Sequence, residues 1–531
     1  MAADATRPRL VVIGLDGADW QILAPLIDRG ALPNLARLMR EGSHGELLSS
    51  FPPHTPCAWS TIFTGVNPGK HGIFTFHTVV PGTYTWKLTR SSDRKVRALW
   101  EMANAAGLRV GAINIPMTFP AERIDGYMIS GMIGAPAVVP SAFWPRELQD
   151  EALRLVPDLS MDVVARRGGE YSIEELRGKL AGRLALIRRL LRSRPVDVLL
   201  AVITATDAVQ HHWLTDPSTP LEGAQDVLRE TYQRADELIG EIAQEAGDEA
   251  DIVILSDHGA GPVNLYLNLP RLLEDLGLIE RVSPTREFLI RVHKKLATML
   301  PRKPDRTRGL ISPIARDQVM TRSQVFSMLT HVSLRLNLAG REPAGAIPAK
   351  DEAEARTAIA AALAEVRTDK APWAQLEMRT REELFAGEYA HLMPDLCGMT
   401  VEGQTLSMPP RRYLREQPAF LSPREAVALD PDIVRGTHRL QGVLLAAGPS
   451  FRAGGEVSGA TLADITPTLL QVLGLPVPTY MDGQPLAEML TAGTPAATDE
   501  SDAERADVSA GDYDEDEAAL VEKRLRDLGY M

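Results

Sequence analysis

The sequence predicts an α/β fold, a mostly parallel central sheet with helices on both faces and a cap or insertion above it. Several short apolar runs lack the alternation of a half-exposed strand, which is typical of strands buried on both faces. Long helical patterns separate several of these runs, as in parallel sheets. Asp and His residues stand where the runs end. Because ligands of open α/β sheets bind beyond the carboxyl ends of strands, those ends are the first place to seek a site.

The predicted strands follow one another with helical segments between several of them. The first lies in "RLVVIGLDG" (9–17), and an amphipathic stretch to about Gly42 follows it. The other strands are predicted in "LRVGAINIP" (108–116), "VDVLLAVITATD" (196–207), "ADIVILSDHG" (250–259) and "QGVLLAAGP" (441–449).

The chain divides into a core, an insertion and a tail. The core comprises residues 1–265 and 430–490, and residues 266–429 form the insertion or cap. Within the insertion we predict helical pieces at 286–300 and 351–366, a basic segment at 302–309, and strands at 333–342 and 394–400 that return in part to the sheet edge. Residues 491–531 form an acidic, largely disordered tail with a short C-terminal helix.

Composition restricts the classes of function. The 531 residues are 44% hydrophobic and 24% charged, with a net charge of −13. Residues 499–517 hold ten of the carboxylates and one arginine, so the rest of the chain is only mildly acidic. Without a basic stripe, binding to a nucleic-acid polymer is not expected. The acidic run is interpreted as a solvated tail, and a protein partner for it remains an open alternative.

The cellular compartment is predicted from three features that the sequence does not show: a disulfide framework, a secretory pattern and a membrane span. Its two cysteines, Cys57 and Cys397, cannot form a disulfide framework. The N-terminus runs into the first strand without a secretory pattern, and no apolar run reaches the roughly 18 residues of a membrane span. A cytoplasmic location without a membrane span is therefore the expectation.

The stretch "PPHTPCAWSTIFTGVNPGKHGIFTF" (52–76) contains a candidate nucleophile. Pro56 suits the first turn of a helix, which predicts Thr55 at the N-cap. A helix start with free amides favours a phosphate group. Alternatively, Thr55 only caps the helix and "NPGKHG" is a surface turn. A Thr hydroxyl needs a base or a metal to act as a nucleophile, so the question depends on metal ligands elsewhere.

Candidate metal ligands stand at three strand ends and in one late loop. Taken singly, each can be explained as a turn, a cap or a loop residue. Jointly, mixed carboxylate and imidazole groups suit zinc or a similar divalent ion, and this set is large enough for two ions. The candidates are Asp16, Asp207, His211, Asp257, His258 and His438.

Five motifs in order carry a resemblance to a known family. They are "GLDG", "TPCAWSTIFTGVNPGKHGI", "TDAVQHH", "SDHG" and "GTHRLQG". Together they resemble the alkaline phosphatase superfamily, specifically its type I phosphodiesterase/nucleotide pyrophosphatase family, over most of residues 9–490. The resemblance implies an alkaline phosphatase-like fold and a metal-dependent hydrolase of small-molecule phosphate esters.

The resemblance also implies a role for each candidate. One divalent ion would be held by Asp16, Thr55, Asp257 and His258, and the other by Asp207, His211 and His438. Zinc is the expected metal, with manganese as the alternative. Thr55 would attack phosphorus and form a phospho-threonine, which water then hydrolyses.

The substrate-binding residues depart from the family pattern. Where nucleotide pyrophosphatases have "FPN" and a later Asn, this chain has "PCA" and Phe76. Lys70, Asn114 and Arg341 are the weaker candidates for substrate binding. The main hypothesis is a phosphodiesterase, and the alternatives are a phosphomonoesterase, a phosphoryl or phospho-alcohol transferase, and a non-catalytic metal-binding scaffold. A sulfatase is disfavoured, because Cys57 is followed by "AWST" rather than by the sequence that sulfatases convert to formylglycine.

Overall fold

The structure is a computed structural model of the chain. It describes residues 7–131, 139–157, 159, 173–281, 312–313, 319–328, 331–371, 375–400, 406–407, 417–491 and 498–499. In these ranges the strands are β1 (Leu10–Leu15), β2 (Ser43–Leu48), β3 (His77–Val79), β4 (Thr85–Leu88), β5 (Val110–Pro116), β6 (Gly126–Gly131), β7 (Phe143–Trp144), β8 (Val198–Ile203), β9 (Asp251–Leu255), β10 (Gly259–Pro262), β11 (Leu265–Leu267), β12 (Ser312–Pro313), β13 (Val325–Ser327), β14 (Val332–Leu336), β15 (Leu376–Thr380), β16 (Leu396–Thr400), β17 (Leu406–Ser407), β18 (Phe420–Leu421), β19 (Gly436–Arg439), β20 (Gln441–Ala447), β21 (Gly455–Thr461), β22 (Val477–Pro478) and β23 (Thr498–Asp499).

The helices of the described ranges are given next, in chain order. They are α1 (Trp20–Asp28), α2 (Pro33–Glu41), α3 (Thr55–Thr64), α4 (Pro68–His71), α5 (Leu99–Ala105), α6 (Leu148–Leu155), α7 (Ile173–Ser193), α8 (Ala205–Trp213), α9 (Ala224–Ala246), α10 (Leu269–Asp275), α11 (Glu352–Ala364), α12 (Arg381–Leu384), α13 (Pro423–Leu429) and α14 (Ile465–Val472). None of the helices in the described ranges is both long enough and apolar enough to cross a bilayer.

The central sheet has nine strands in the order β21-β2-β20-β9-β1-β8-β5-β6-β7. Strands β9, β1, β8, β5 and β6 run parallel to one another, while β20 is antiparallel to both of its neighbours and β7 is antiparallel to β6. The predicted fold class, a mostly parallel sheet flanked by helices, is therefore confirmed. The five predicted strands all lie in this sheet.

Strand β1 shows why the apolar runs are continuous. Val11 and Ile13 belong to the hydrophobic cluster on one face of the sheet, and Leu10 and Val12 belong to the cluster on the other face. Successive side chains of a strand point to opposite faces, so a strand covered on both sides must be apolar at every position. All six residues of β1 are buried.

Three neighbouring parallel strands place the polar strand ends side by side. Strand β1 pairs with β9 through Gly14 and Leu255, and with β8 through Leu15 and Ile203. The chain leaves β1 at Asp16, and Asp257 follows the last residue of β9 with Ser256 between them. Since the carboxyl ends of parallel strands lie at one edge of a sheet, these residues are brought together as the sequence indicated.

The insertion forms a second sheet, with strands in the order β13-β14-β16-β15. We expected residues 333–342 and 394–400 to return in part to the edge of the central sheet. Instead β14 and β16 pair with each other, and Leu334 and Leu396 on these strands belong to a hydrophobic cluster separate from the two that cover the central sheet. The predicted helix at 351–366 is α11. The predictions for 286–300, for the basic segment and for nearly all of the tail lie outside the described residues.

Candidate metal centre and nucleophile

The first cluster joins the ends of β1 and β9 and is named here the Asp16 cluster: Asp16, Asp257 and His258. Nε2 of His258 lies 3.4 Å from Asp257 Oδ2 and 3.7 Å from Asp16 Oδ1. One ligand atom from each residue lies within 4.8 Å of the others. All three side chains are at most 1% exposed. Two carboxylates and an imidazole therefore face one another away from bulk water.

Two oxygens of the Asp16 cluster are buried without a hydrogen bond among the described residues. They are Asp16 Oδ1 and Asp257 Oδ2. The other oxygen of each pair is held by the protein, since Trp59 Nε1 donates to Asp16 Oδ2 at 3.3 Å and the Gly17 amide donates to Asp257 Oδ1 at 3.2 Å. Buried carboxylate oxygens are costly unless paired or bound to a metal. The two free oxygens fit a cation that the cluster would hold.

The second cluster, the Asp207 cluster, consists of Asp207, His211 and His438. Helix α8 begins just after β8, and its i, i+4 spacing places Asp207 and His211 on one face. Strand β19 adds His438. The carboxylate of Asp207 lies 3.3 Å from His211 Nε2 and 3.5 Å from His438 Nε2, and each residue offers a ligand atom within 4.8 Å of the others.

The tautomers of the three histidines follow from their Nδ1 contacts. Nδ1 of His211 lies 3.0 Å from the Gly436 carbonyl, that of His258 lies 3.0 Å from the Gly259 carbonyl, and that of His438 lies 2.8 Å from a carbonyl in the loop before α3. A carbonyl can only accept, so in the neutral ring each Nδ1 carries the proton and each Nε2 carries a lone pair. This is the arrangement of metal-binding histidines.

Two such lone pairs meet in the Asp207 cluster. His211 Nε2 and His438 Nε2 are 3.1 Å apart. With both rings neutral and a proton on each Nδ1, neither Nε2 can donate to the other, so the contact is repulsive unless an added proton or a cation lies between the rings and Asp207. The residues of this cluster therefore also fit a divalent metal. The two clusters adjoin, because the rings of His258 and His438 stack with their centroids 3.7 Å apart.

Thr55 opens α3 and faces the Asp16 cluster. Its Oγ1 lies 3.3 Å from His258 Nε2, and the residue is 1% exposed. The predicted N-cap position is off by one residue, since His54 is the N-cap and makes no side-chain cap bond. Thr55 is the first helical residue, and its hydroxyl approaches the cluster rather than capping the helix.

Helix α3 also fixes one ligand of the Asp16 cluster. Trp59, one turn after Thr55, donates to Asp16 and lies against β1. A Cβ at Gly14 would lie 2.2 Å from the Trp59 ring, so the strand can carry no side chain there. The close approach of helix and strand places the nucleophile candidate beside the strand-end carboxylate.

The pKa values of the Asp16 cluster reflect burial and like charge. Burial, with Asp207 adding to it, raises the pKa of Asp257 to about 7. Burial and the neighbouring carboxylate of Asp257 raise the pKa of Asp16 well above its usual value. Burial lowers the pKa of His258 to about 4, which keeps its imidazole neutral at pH 7. A cation would relieve the repulsion between the carboxylates.

In the Asp207 cluster the pKa of the carboxyl group shifts in the opposite direction. Burial alone would raise the pKa of Asp207, but the His211 charge and the hydrogen bonds from His211 and His438 hold it well below its usual value. Burial tends to lower the pKa of His211, yet Asp207 raises it overall. Burial and His258 lower the pKa of His438 to about 4.

The three weaker substrate-binding candidates make contacts elsewhere. Lys70 Nζ lies 2.6 Å from an Asp482 oxygen, and Arg341 forms two bonds of 2.9 and 2.6 Å with the Asp395 carboxylate. Asn114 donates from Nδ2 to the Val202 carbonyl at 2.9 Å. Each side chain is thus engaged within the protein, and a role of these three residues in substrate binding stays a prediction.

Two histidines beside the nucleophile were not predicted to belong to the site. The rings of His54 and His331 are 6.0 Å apart, and His54 also contacts Phe76 at 5.4 Å. The His331 ring lies 5.8 Å from that of His438. His54 is visible in the sequence as the neighbour of Thr55, but no site role was predicted for it. His331 comes from the insertion and stands in no motif, so only the fold reveals it.

Comparison with known proteins identifies the family. The family model described as type I phosphodiesterase/nucleotide pyrophosphatase matches residues 10–409. No curated protein sequence gives a significant match.

Solved structures share the fold at low identity. One is murine ectonucleotide pyrophosphatase/phosphodiesterase 5, as an inactive variant in complex with AMP, with 14% identity and a TM-score of 0.51 over 91% of this chain and 100% of that chain. Another is phosphonoacetate hydrolase from Sinorhizobium meliloti 1021 in complex with phosphonoacetate, with 16% identity and a TM-score of 0.51 over 86% of this chain and 94% of that chain. At these identities the likeness shows the fold.

The family match spans the first cluster, the nucleophile candidate and most of the second cluster, and its members are phosphoric ester hydrolases. The chain therefore belongs to the type I phosphodiesterase/nucleotide pyrophosphatase family.

Proposed function

We propose that this chain hydrolyses phosphoric diesters of small molecules, with Thr55 as the nucleophile and a divalent cation in each cluster. The observation that carries the proposal is the placement of the Thr55 hydroxyl, 3.3 Å from His258 Nε2. It lies beside imidazoles whose lone pairs face carboxylates and each other. A hydroxyl in such a setting is suited to nucleophilic attack on phosphorus.

The chain's own groups set up the displacement. Thr55 Oγ1 forms a bond to phosphorus, the ester oxygen of the leaving group departs, and the remaining phosphoryl group stays on Thr55. Water then attacks the same phosphorus, the bond to Oγ1 breaks, and the hydroxyl is restored. The N-terminus of α3 favours the negative phosphoryl oxygens through the helix dipole. When bound, the two cations supply positive charge that stabilises the Thr55 alkoxide and the charge on the phosphoryl group.

The donor sets support zinc as the metal, with manganese as the alternative. Each cluster combines imidazole nitrogen with carboxylate oxygen, a mixture typical of zinc sites. Six ligand atoms are contributed by the two clusters, and Thr55 lies against the first. The identity of the cation would be decided by these ligands together with the supply of metal.

A diester substrate is favoured over a monoester by charge. A phosphate monoester carries a second negative charge, which monoesterases usually meet with an arginine or an extra cation. Two of the basic candidates from the sequence, Lys70 and Arg341, are held by the carboxylates of Asp482 and Asp395. The singly charged phosphodiester requires no further cation.

The test compares two chromogenic esters on the purified full-length chain loaded with zinc or manganese. We expect kcat/KM for bis-p-nitrophenyl phosphate to exceed that for p-nitrophenyl phosphate by at least about tenfold, or ~1.4 kcal/mol of transition-state stabilisation. A preference for the monoester would overturn the diesterase assignment and favour the monoesterase alternative. Hydrolysis of neither ester, with both metals bound, would favour the scaffold.

A further inference from the structure

The insertion is anchored on the helix that carries the nucleophile candidate. Cys57 of α3 and Phe74 share one buried cluster with Phe326, Phe385 and Cys397 of the insertion. The rings of Phe74 and Phe385 meet edge to face, with centroids 5.8 Å apart. Because this contact is buried and apolar, a side chain that the insertion brings to the site is held at a defined position.

Polar contacts fasten the same two parts together. Asn67, at the start of α4, donates from Nδ2 to the Leu384 carbonyl at 2.9 Å and accepts from the Ala386 amide at 2.9 Å. These bonds pair both groups of one side-chain amide with the backbone of the insertion. The insertion is therefore part of the wall of the site.

His331 is the residue through which the insertion reaches the site. It stands directly before β14 with φ of 46°, in the left-handed region that residues other than glycine rarely adopt. Such a conformation is strained and persists only where the surroundings impose it, often at functional sites. His331 Nε2 lies 3.2 Å from the Pro53 carbonyl. Since that carbonyl can only accept, Nε2 is the donor.

The Pro53 carbonyl also accepts from a ligand candidate of the second cluster. His438 Nδ1 donates to it at 2.8 Å. A carbonyl oxygen has two lone pairs and can take both bonds. The Pro53 carbonyl oxygen, two residues before Thr55, thus connects the loop before α3 to the Asp207 cluster and to the insertion.

We propose that His331 is a positioning residue, which holds the Pro53 carbonyl so that His438 presents Nε2 to the Asp207 cluster and Thr55 stays aligned with both clusters. The inference rests on the proposed function for its effect on catalysis. Its effect on metal binding does not depend on turnover. Hydrogen-bond partners of metal-binding histidines orient the ring, and removing them typically costs about 10- to 100-fold in affinity or activity.

The test uses a matched pair of variants. His331→Gln keeps an N–H donor at a similar reach, whereas His331→Phe keeps a planar ring of similar size and loses the donor. Both replace one non-glycine residue by another, so both carry the left-handed backbone cost. Urea unfolding checks that the two variants fold equally well.

Zinc affinity is the readout that does not require activity. In a chelator titration of the zinc-loaded protein, we expect His331→Phe to release one of two ions at about tenfold lower chelator concentration than the wild type, and His331→Gln to behave as the wild type. Equal release from all three proteins would overturn the proposal. So would equal weakening in both variants, because His331→Gln retains the N–H donor.

Kinetics at saturating zinc provide the second readout. If bis-p-nitrophenyl phosphate is hydrolysed, we expect kcat of His331→Phe to fall about 10- to 100-fold with little change in KM, and His331→Gln to recover most of the loss. A change in KM alone would contradict a positioning role. If the wild type hydrolyses neither ester, the proposed function fails, while the chelator titration still decides the role of His331.

Discussion

Thr55→Ala is expected to lower kcat for the preferred ester by about 10⁴-fold or more, the scale of losing a catalytic nucleophile. The variant lacks only the hydroxyl and one methyl group. Because His54 rather than Thr55 is the N-cap of α3, and the Thr55 hydroxyl contacts His258, the helix should remain folded. Thr55→Ser is the matched control, since it keeps a hydroxyl at the same position and should retain a measurable share of the activity.

Detection of the covalent intermediate distinguishes loss of the nucleophile from a general loss of structure. Rapid acid quench during turnover of a diester, followed by mass analysis of the peptide around residue 55, should find a phosphoryl group that still carries the second ester group on Thr55 in the wild type, the same adduct on serine in Thr55→Ser, and no modification in Thr55→Ala. A variant without the hydroxyl that keeps activity within about tenfold of the wild type, with both metals bound, would remove Thr55 from the mechanism.

The Asp257 carboxyl is expected to make a destabilising contribution to the metal-free protein as pH rises from about 4 to about 7, opposed by the contribution of His258 and His438, whose pKa values burial lowers to about 4. Burial, reinforced by Asp207, raises the pKa of Asp257 from 3.8 to about 7 in the folded chain. Between those values the folded chain holds a proton that the unfolded chain has released. The contribution of Asp257 to stability must therefore fall with rising pH across this window. For Asp257 alone the fall is about 4 kcal/mol, at ~1.4 kcal/mol for each pH unit.

Urea unfolding of metal-stripped wild type and Asp257→Asn at a series of pH values measures this contribution as the difference between the two slopes. Asp257→Asn is the reference, since an amide does not ionise, and its stability should fall less, or rise more, between pH 4 and 7 than that of the wild type. Zinc should abolish the Asp257 contribution in the wild type, because a bound cation takes the place of the proton. An unchanged slope in Asp257→Asn would show that other groups govern the pH dependence.

The parts of the fold that were predicted share a physical cause. Strands β1, β8 and β9 are buried on both faces, so their sequences are apolar at every position and stand out from the rest of the chain. The candidate ligands follow these strands directly or by one helical turn. Local sequence thus contained most of the information about the two clusters, apart from His438.

The missed elements depend on contacts that local sequence does not show. Strands β2 and β21 lie at one edge of the sheet, and several of their residues are exposed, so the apolar signal is weak. His331 reaches the site only because β14 belongs to a second sheet packed near α3. Lys70 and Arg341 seemed available as cations, but carboxylates far away in sequence hold them.

The central claim, that the two clusters each hold a divalent cation beside Thr55, is tested most directly by counting metal ions. Elemental analysis of the purified chain after dialysis should find two zinc or manganese ions per wild-type chain and one in His211→Ala, which loses a ligand of the Asp207 cluster only. A fully active wild-type chain with fewer than two ions, or a His211→Ala variant that retains both, would show that the two clusters do not each hold a cation required for activity.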